Sequence, residues 1–209
     1  MTANLVTLTD PASPTAEAYR RLRVNLASAG RDAPLQIVLV VAASPDNDKA
    51  KVVANLAVAF AKVGKQVIVA DCDLHHPAQH TLFGLENATG VTSALATAGG
   101  ALPLQGTEVA GLRVLTSGPA VAVPADTLAS PAMTDLVARL RSQADVVLID
   151  APPVTQTTDA VELAAQVDGV LLTVHAGQTK RDQAQRAKEA LEKVGARVVG
   201  VALVDAAMS

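Results

Sequence analysis

Aromatic residues are nearly absent from this 209-residue chain, which has one tyrosine, two phenylalanines and no tryptophan. Its core cannot be built around large rings. Ala, Val and Leu must fill it, and that suits a parallel sheet buried between helices. A single cysteine, Cys72, excludes an internal disulfide framework and fits a reducing cytosol. The apolar runs are strand-length and interrupted, so no membrane span is expected. The N-terminus lacks a charged segment followed by an apolar run, so no secretory leader is expected. Cationic charge is not in excess: 17 Lys and Arg stand against 20 Asp and Glu, a net charge of -3. That balance gives no electrostatic case for a nucleic-acid partner. Internal repeats, low-complexity linkers and signs of a second domain are also lacking. One α/β domain over residues 1–209 is expected, with 1–34 as an N-terminal segment carrying a helix.

Half of the residues are hydrophobic, and they come in blocks. Continuous apolar runs recur at 35–42, 66–71, 111–116, 145–150, 169–175 and 197–204, as expected of strands buried on both faces. Helical stretches separate most of them, near 50–63, 130–142, 157–166 and 180–194. A further helix is expected over 14–28, with Ser13 as N-cap and Pro14 in its first turn. Gly64 and Gly195 fall where helices should end. This alternation predicts a doubly wound, mainly parallel sheet flanked by helices, a three-layer, Rossmann-like arrangement. Segment 84–110, rich in Gly, Ala and Thr, gives the weakest signal.

Open sheets of this kind bind ligands beyond the carboxyl ends of their strands. Three loops there carry chemistry: SPDNDK after the first strand, Asp71-Cys72-Asp73 after the second, and Asp150-Ala151-Pro152-Pro153 after DVVLI. Strand-end carboxylates are what a hydrated magnesium ion and an attacking hydroxyl need. Strand-end Asp residues also cap turns, and for each one taken singly that is the simpler reading. Lys49 reads equally as an anion contact or as a solvated lysine at a helix start. His76 and His80 are four apart, but tetrahedral zinc needs three or four preorganised ligands, so His75, His76 and His80 read as surface histidines. His175 reads as a core or interface residue. Cys72, flanked by Asp71 and Asp73, should have a raised pKa and no special reactivity. Asn87-Ala88-Thr89 is a glycosylation sequon by letters only.

The chain resembles the cytoplasmic domain of the bacterial tyrosine kinases (BY-kinases) of capsule and exopolysaccharide synthesis, Walker-type ATPases related to the plasmid- and septum-positioning ATPases. The likeness runs through SPTAEAYRRLRVNL, the stretch from KVVANLAVAFAKVG to ENATGVT, LIDAPP, and TDAVELAAQVDGVLLTVHAGQT. It implies ATP and Mg2+ as cofactors, Asp150 as the Walker B aspartate, and a metal role for Asp71 and Asp150. It also implies ring-like, head-to-tail self-assembly through Glu17, Arg20 and Arg23, which match an E-x-x-R-x-x-R pattern. A membrane polysaccharide co-polymerase or activator is the implied partner, which would place the chain at the inner face of the membrane.

The departures from that family are chemical. Its Walker A loop reads P-G-x-G-K-S/T, whereas here Pro45, Asp46, Asn47, Asp48, Lys49 and Ala50 stand in those places. The lost glycines would bring backbone N–H groups against phosphate. A carboxylate in their place repels phosphate: two unit charges about 4 Å apart at an effective dielectric near 20 interact by about 4 kcal/mol, about a thousandfold in affinity. Lys51 offsets some of that charge. Ala50 lacks the hydroxyl that would ligate magnesium. His75 and His76 stand where the family has a basic residue, and Val204 where related folds place an Asn on the base. Tyr19 is the single tyrosine, and the chain ends in DAAMS rather than a tyrosine-rich tail. The expectation is a pseudoenzyme that assembles or binds a partner, with weak or no ATP binding and no cofactor unless the site still functions with ATP and Mg2+. An active ATP-dependent tyrosine kinase and a purely structural self-assembling protein are the alternatives.

Overall fold

The computed structural model describes residues 5–31, 33–45, 48–97 and 99–206. Seven strands form one sheet: β1 (Ile37–Ala42), β2 (Val67–Asp71), β3 (Gln105–Gly106), β4 (Leu112–Leu115), β5 (Val146–Asp150), β6 (Gly169–His175) and β7 (Val198–Val204). Their order is β3-β4-β2-β5-β1-β6-β7. Every pairing is parallel except the short edge ladder between β3 and β4. The expected mainly parallel, doubly wound sheet is what the chain forms.

Alternation along β1 shows why these runs must be apolar throughout. Ile37, Leu39 and Val41 enter one core cluster, and Val38 and Val40 enter the cluster on the opposite face. The first face is covered by α5 (Val91–Ala96), α6 (Pro124–Leu128), α7 (Pro131–Arg141), α8 (Asp159–Ala164) and α9 (Arg181–Lys193). The second is covered by α1 (Val6–Thr9), α2 (Pro14–Ala29), α3 (Lys49–Ala61) and α4 (Gln79–Phe83). All of α3 except Ala50 and Lys51 is buried. It runs between the sheet and α2, and its alanines permit that close approach on two sides. Within it Asn55 is nearly inaccessible, and its side-chain oxygen accepts from both the amide and the hydroxyl of Thr7. That bond fixes α1 to α3.

The four long helices, the six-residue α8 and six main strands lie where periodicity places them, with ends shifted by one or two residues. The Ser13 hydroxyl accepts from the Ala16 amide, and Pro14 opens α2. Gly64 and Gly195 take φ of +82° and +74° after α3 and α9, a conformation only glycine adopts cheaply. The structure adds α1, α4, α5, α6 and β3, each of two to six residues. None is long enough to complete a recognisable repeat. No helix among the described residues is long and apolar enough to cross a membrane.

At the amino-terminal edge of the sheet, Asp168 is held by a two-pronged contact from Arg141, with Nη1 to Oδ2 at 2.9 Å and Nη2 to Oδ1 at 2.8 Å. The same Oδ2 accepts from the amides of Gln36 and Ile37 at 2.9 and 2.7 Å. Burial alone would raise the Asp168 pKa. The Arg141 fork and the two amides outweigh it and hold the carboxyl below its ordinary value.

Candidate functional site

Strand order decides which loops meet. β2, β5 and β1 are neighbours, so the loops after them converge although they lie up to about a hundred residues apart. Asp71 and Asp150 are register partners at the carboxyl ends of β2 and β5. From the β1 side, Lys49 enters as the first residue of α3. Its Nζ bonds Asp150 Oδ1 and, at 3.1 Å, Asp73 Oδ2. Lys49 is 3% exposed, so the solvated reading is corrected: the side chain lies inward because Asp150 and Asp73 need a counter-charge. Burial by itself would lower the lysine pKa, but Asp150 and then Asp73 outweigh it, and the pKa is raised.

Gln79, fully buried, is a member of the site that sequence reasoning missed. Its Nε2 donates to Asp150 Oδ2 at 2.7 Å and to the Ala50 carbonyl at 3.0 Å. It lies on α4, an element too short to be legible in the sequence. Asp71 Oδ2 caps α4 by accepting from the Ala78 and Gln79 amides, and Asp73 Oδ1 accepts from the His76 amide. The capping reading and the convergent reading are therefore both realised. Burial, then the charge of Asp150, pushes the Asp71 pKa up to about 8. Its Oδ1 and the nearby group Gln79 Oε1 have no hydrogen-bond partner among the described residues.

The loop itself is only partly described: Asp46 and Asn47 lie outside the described residues. The Asp48 carboxylate is occupied within the protein, with Oδ1 accepting from Lys51 Nζ at 2.7 Å and Oδ2 lying 3.6 Å from His175 Nε2. Lys51 offsets the Asp48 charge, as expected. Beside Lys49 is a cleft of about 260 Å3 lined by Pro45, Lys49, Ala50, Asp73, His76 and Pro153, among others. Ligand pockets usually run about 300–1,000 Å3. The parts of an ATP·Mg site that are present are Lys49 and the carboxylates Asp71, Asp73 and Asp150. A hydroxyl at Ala50 is lacking, and the lysine is bonded to the acids.

The histidines divide. His75 Nε2 lies 3.0 Å from Asp159, which is 1% exposed. His76 is exposed and precedes α4, so it shares no helix with His80, and the spacing of four places no pair on one face. His175 is buried, as read, but in a polar setting rather than the apolar core: Asp48 and Asp205 both approach it. Cys72 is fully buried and its pKa is raised, as expected, by burial first and then by the neighbouring acids. Asn87 has a structural role, its side chain bonding Ser117 and the Gly118 amide.

In α2, Glu17 and Arg20 bond each other at 2.6 Å, and Arg20 also donates to the Pro11 carbonyl. Arg23 is half-buried, and its Nε has no partner among the described residues. Burial, then the charges of Asp48 and Asp205, pushes the Tyr19 phenol up to about 12.

A family model described as ParA, NUBPL iron-transfer P-loop NTPase, matches residues 35–205. The tyrosine-protein kinase YwqD of Bacillus subtilis is 37% identical over 201 residues, covering 96% of this chain and 85% of that protein. The putative tyrosine-protein kinase CapB of Staphylococcus aureus is 28% identical over 92% of this chain and 85% of its own length. Among solved structures, the chimerical protein CapA2B2 superposes with a TM-score of 0.89 at 33% identity, covering 95% of this chain and 88% of that one. The kinase domain of the Escherichia coli tyrosine kinase ETK superposes at 0.91 with 26% identity, covering 100% and 84%. The chain belongs to the bacterial tyrosine-kinase family of ParA-type P-loop NTPases.

Proposed function

We propose that this chain is a BY-kinase-family pseudoenzyme of polysaccharide synthesis, working as a self-assembling or partner-binding module with weak or no ATP binding. The observation that carries this reading is the state of Lys49: buried, and bonded to Asp150 and Asp73. A phosphate engaging this lysine has to compete with two buried carboxylates for its charge. Asp46 and Asp48 in place of glycine and Ala50 in place of a hydroxyl residue act in the same direction. Tyr19 is a poor phosphate acceptor in this reading, because the added charge would face Asp48 and Asp205. Assembly runs head to tail through Glu17, Arg20 and Arg23, with a membrane polysaccharide co-polymerase or activator as the natural partner. Calorimetry with ATP and Mg2+ tests the proposal. Heats no larger than dilution at submillimolar nucleotide support it, and micromolar affinity overturns it.

The second reading is an active ATP-dependent tyrosine kinase, favoured by one observation: the full acidic set Asp71, Asp73 and Asp150 is retained at the strand ends. Phosphotyrosine on Tyr19 or on an added activator segment, formed from ATP by the purified chain, would decide for it.

A further inference from the structure

The two edges of the sheet are finished differently. One ends in β3, two residues long, which leaves almost nothing for another strand to pair with. The other ends in β7, seven residues long and bonded on one side, to β6. Proteins usually blunt an open edge with charge, proline or a bulge. β7 reads VVGVALV, with no charge and no proline. Its register against β6 slips once, between Val170 and Leu171, which leaves residues 200–204 as an unbroken ladder.

Within that stretch, backbone and side chains of the same two residues face outward. The Val204 carbonyl accepts from the Ala176 amide, so Val204 and, by alternation, Ala202 and Gly200 turn their polar groups to β6. Val201 and Leu203 turn theirs to the open side. Their side chains are 59% and 60% exposed, the highest values for large apolar residues among the described residues. They stand in register with Leu172 and Val174, so they extend the sheet face that α9 covers. A groove of about 610 Å3 separates α9 from this strip, with Arg181, Gln185, Lys188 and Glu192 along its helical wall.

This edge complements its own copy. A two-fold axis at Ala202 sets β7 antiparallel to a second β7. Val201 then stands opposite the partner's Leu203, and the two exchange both N–H···O bonds. As the crossover between parallel strands, α9 runs back against β7, and the axis reverses the order of its wall. Arg181 comes level with the partner's Glu192, and Gln185 with the partner's Lys188, so no like charges face each other. Agreement in both register and charge is what an isologous contact needs.

We propose that β7 is a docking edge for a second copy of this chain, joined as an antiparallel β7–β7 pair about a two-fold axis at Ala202. The contact is separate from head-to-tail assembly through α2. It runs one sheet through two protomers.

The test is analytical ultracentrifugation of the whole protein at high salt, which screens the charged α2 contact. Wild type should show a monomer–dimer equilibrium at micromolar concentrations. Leu203→Lys, at an exposed position, should weaken it at least tenfold with Tm unchanged, whereas Arg20→Glu with Arg23→Glu should leave it intact. Cross-linking reads the register. Directly opposed, non-hydrogen-bonded residues lie about 4.5 Å apart at Cα, within disulfide reach, so Ala202→Cys should form a covalent dimer on oxidation. Val201→Cys, offset from its own mate by two residues, should not. Cys72 is buried and does not interfere. A wild type that stays monomeric, which would leave the edge to a strand of another protein, overturns the proposal. So does an undiminished dimer in Leu203→Lys, loss of the dimer in the Arg20/Arg23 variant, or equal cross-linking by the two cysteine variants.

Discussion

Asp71 and Asp150 face each other in register across β2 and β5, yet Lys49 bonds Asp150 and not Asp71. The two carboxyls therefore part company. Asp150 is compensated by the lysine and by Gln79, whereas Asp71 accepts from the Ala78 and Gln79 amides and burial raises its pKa.

Lys49 should accordingly be a structural residue. Lys49→Met removes the one cation bonded to Asp150 and Asp73 among the described residues, and stranding a buried charge costs about 3–5 kcal/mol. For a chain of this size that lowers Tm by roughly 6–20 °C. Adding Asp150→Asn to Lys49→Met should recover most of the loss. Differential scanning calorimetry of both variants checks this, and a single variant as stable as wild type would show that solvent reaches the cluster.

The loop can be rebuilt. Asp46→Gly, Asp48→Gly and Ala50→Ser together should raise ATP·Mg affinity at least tenfold over wild type by isothermal titration. No gain would mean that the hold on Lys49, together with Val204 in the Asn position, disables the site independently of the loop.

The Asp168–Arg141 contact predicts a dependence on pH. The Asp168 pKa is lowered in the folded protein, so its contribution is present above the unfolded value of about 4 and is lost as pH falls through the lower folded value. Asp168→Asn should cost roughly 2 kcal/mol at pH 7. The gap between variant and wild-type urea midpoints should hold down to about pH 5 and close below about pH 4. A gap unchanged at pH 3 would rule out a charged Asp168 as its source.

Assembly through α2 is open to light scattering. Wild type should form oligomers at low salt, and Arg20→Glu with Arg23→Glu should assemble no further than a dimer. Because Arg20 is already engaged by Glu17 and Pro11, Arg23→Ala alone should weaken assembly more than Arg20→Ala. A monomeric wild type at high concentration removes the idea.

Layering was legible in the sequence because a strand buried on both faces has no choice of composition: IVLVVA and VVLID can hardly be anything else. The loops at the strand ends were legible too, since strand order brings Lys49, Asp71, Asp73 and Asp150 to one edge. What could not be read was local pairing. Whether Lys49 faces water or carboxylates depends on burial that no window of sequence contains. Gln79 sits on a five-residue helix with no periodicity to announce it. His175 meets Asp48 and Asp205 only because β6 lies between β1 and β7, a fact of topology rather than spacing.

Cys72 has no accessible surface and is the chain's one thiol. It sits between two of the acids that organise the sheet edge, so a reagent reaches it only when that edge comes apart. The wild-type protein thus carries its own clock of opening. The rate at which an alkylating probe modifies it measures how often β2 and its neighbours separate, with no engineered label.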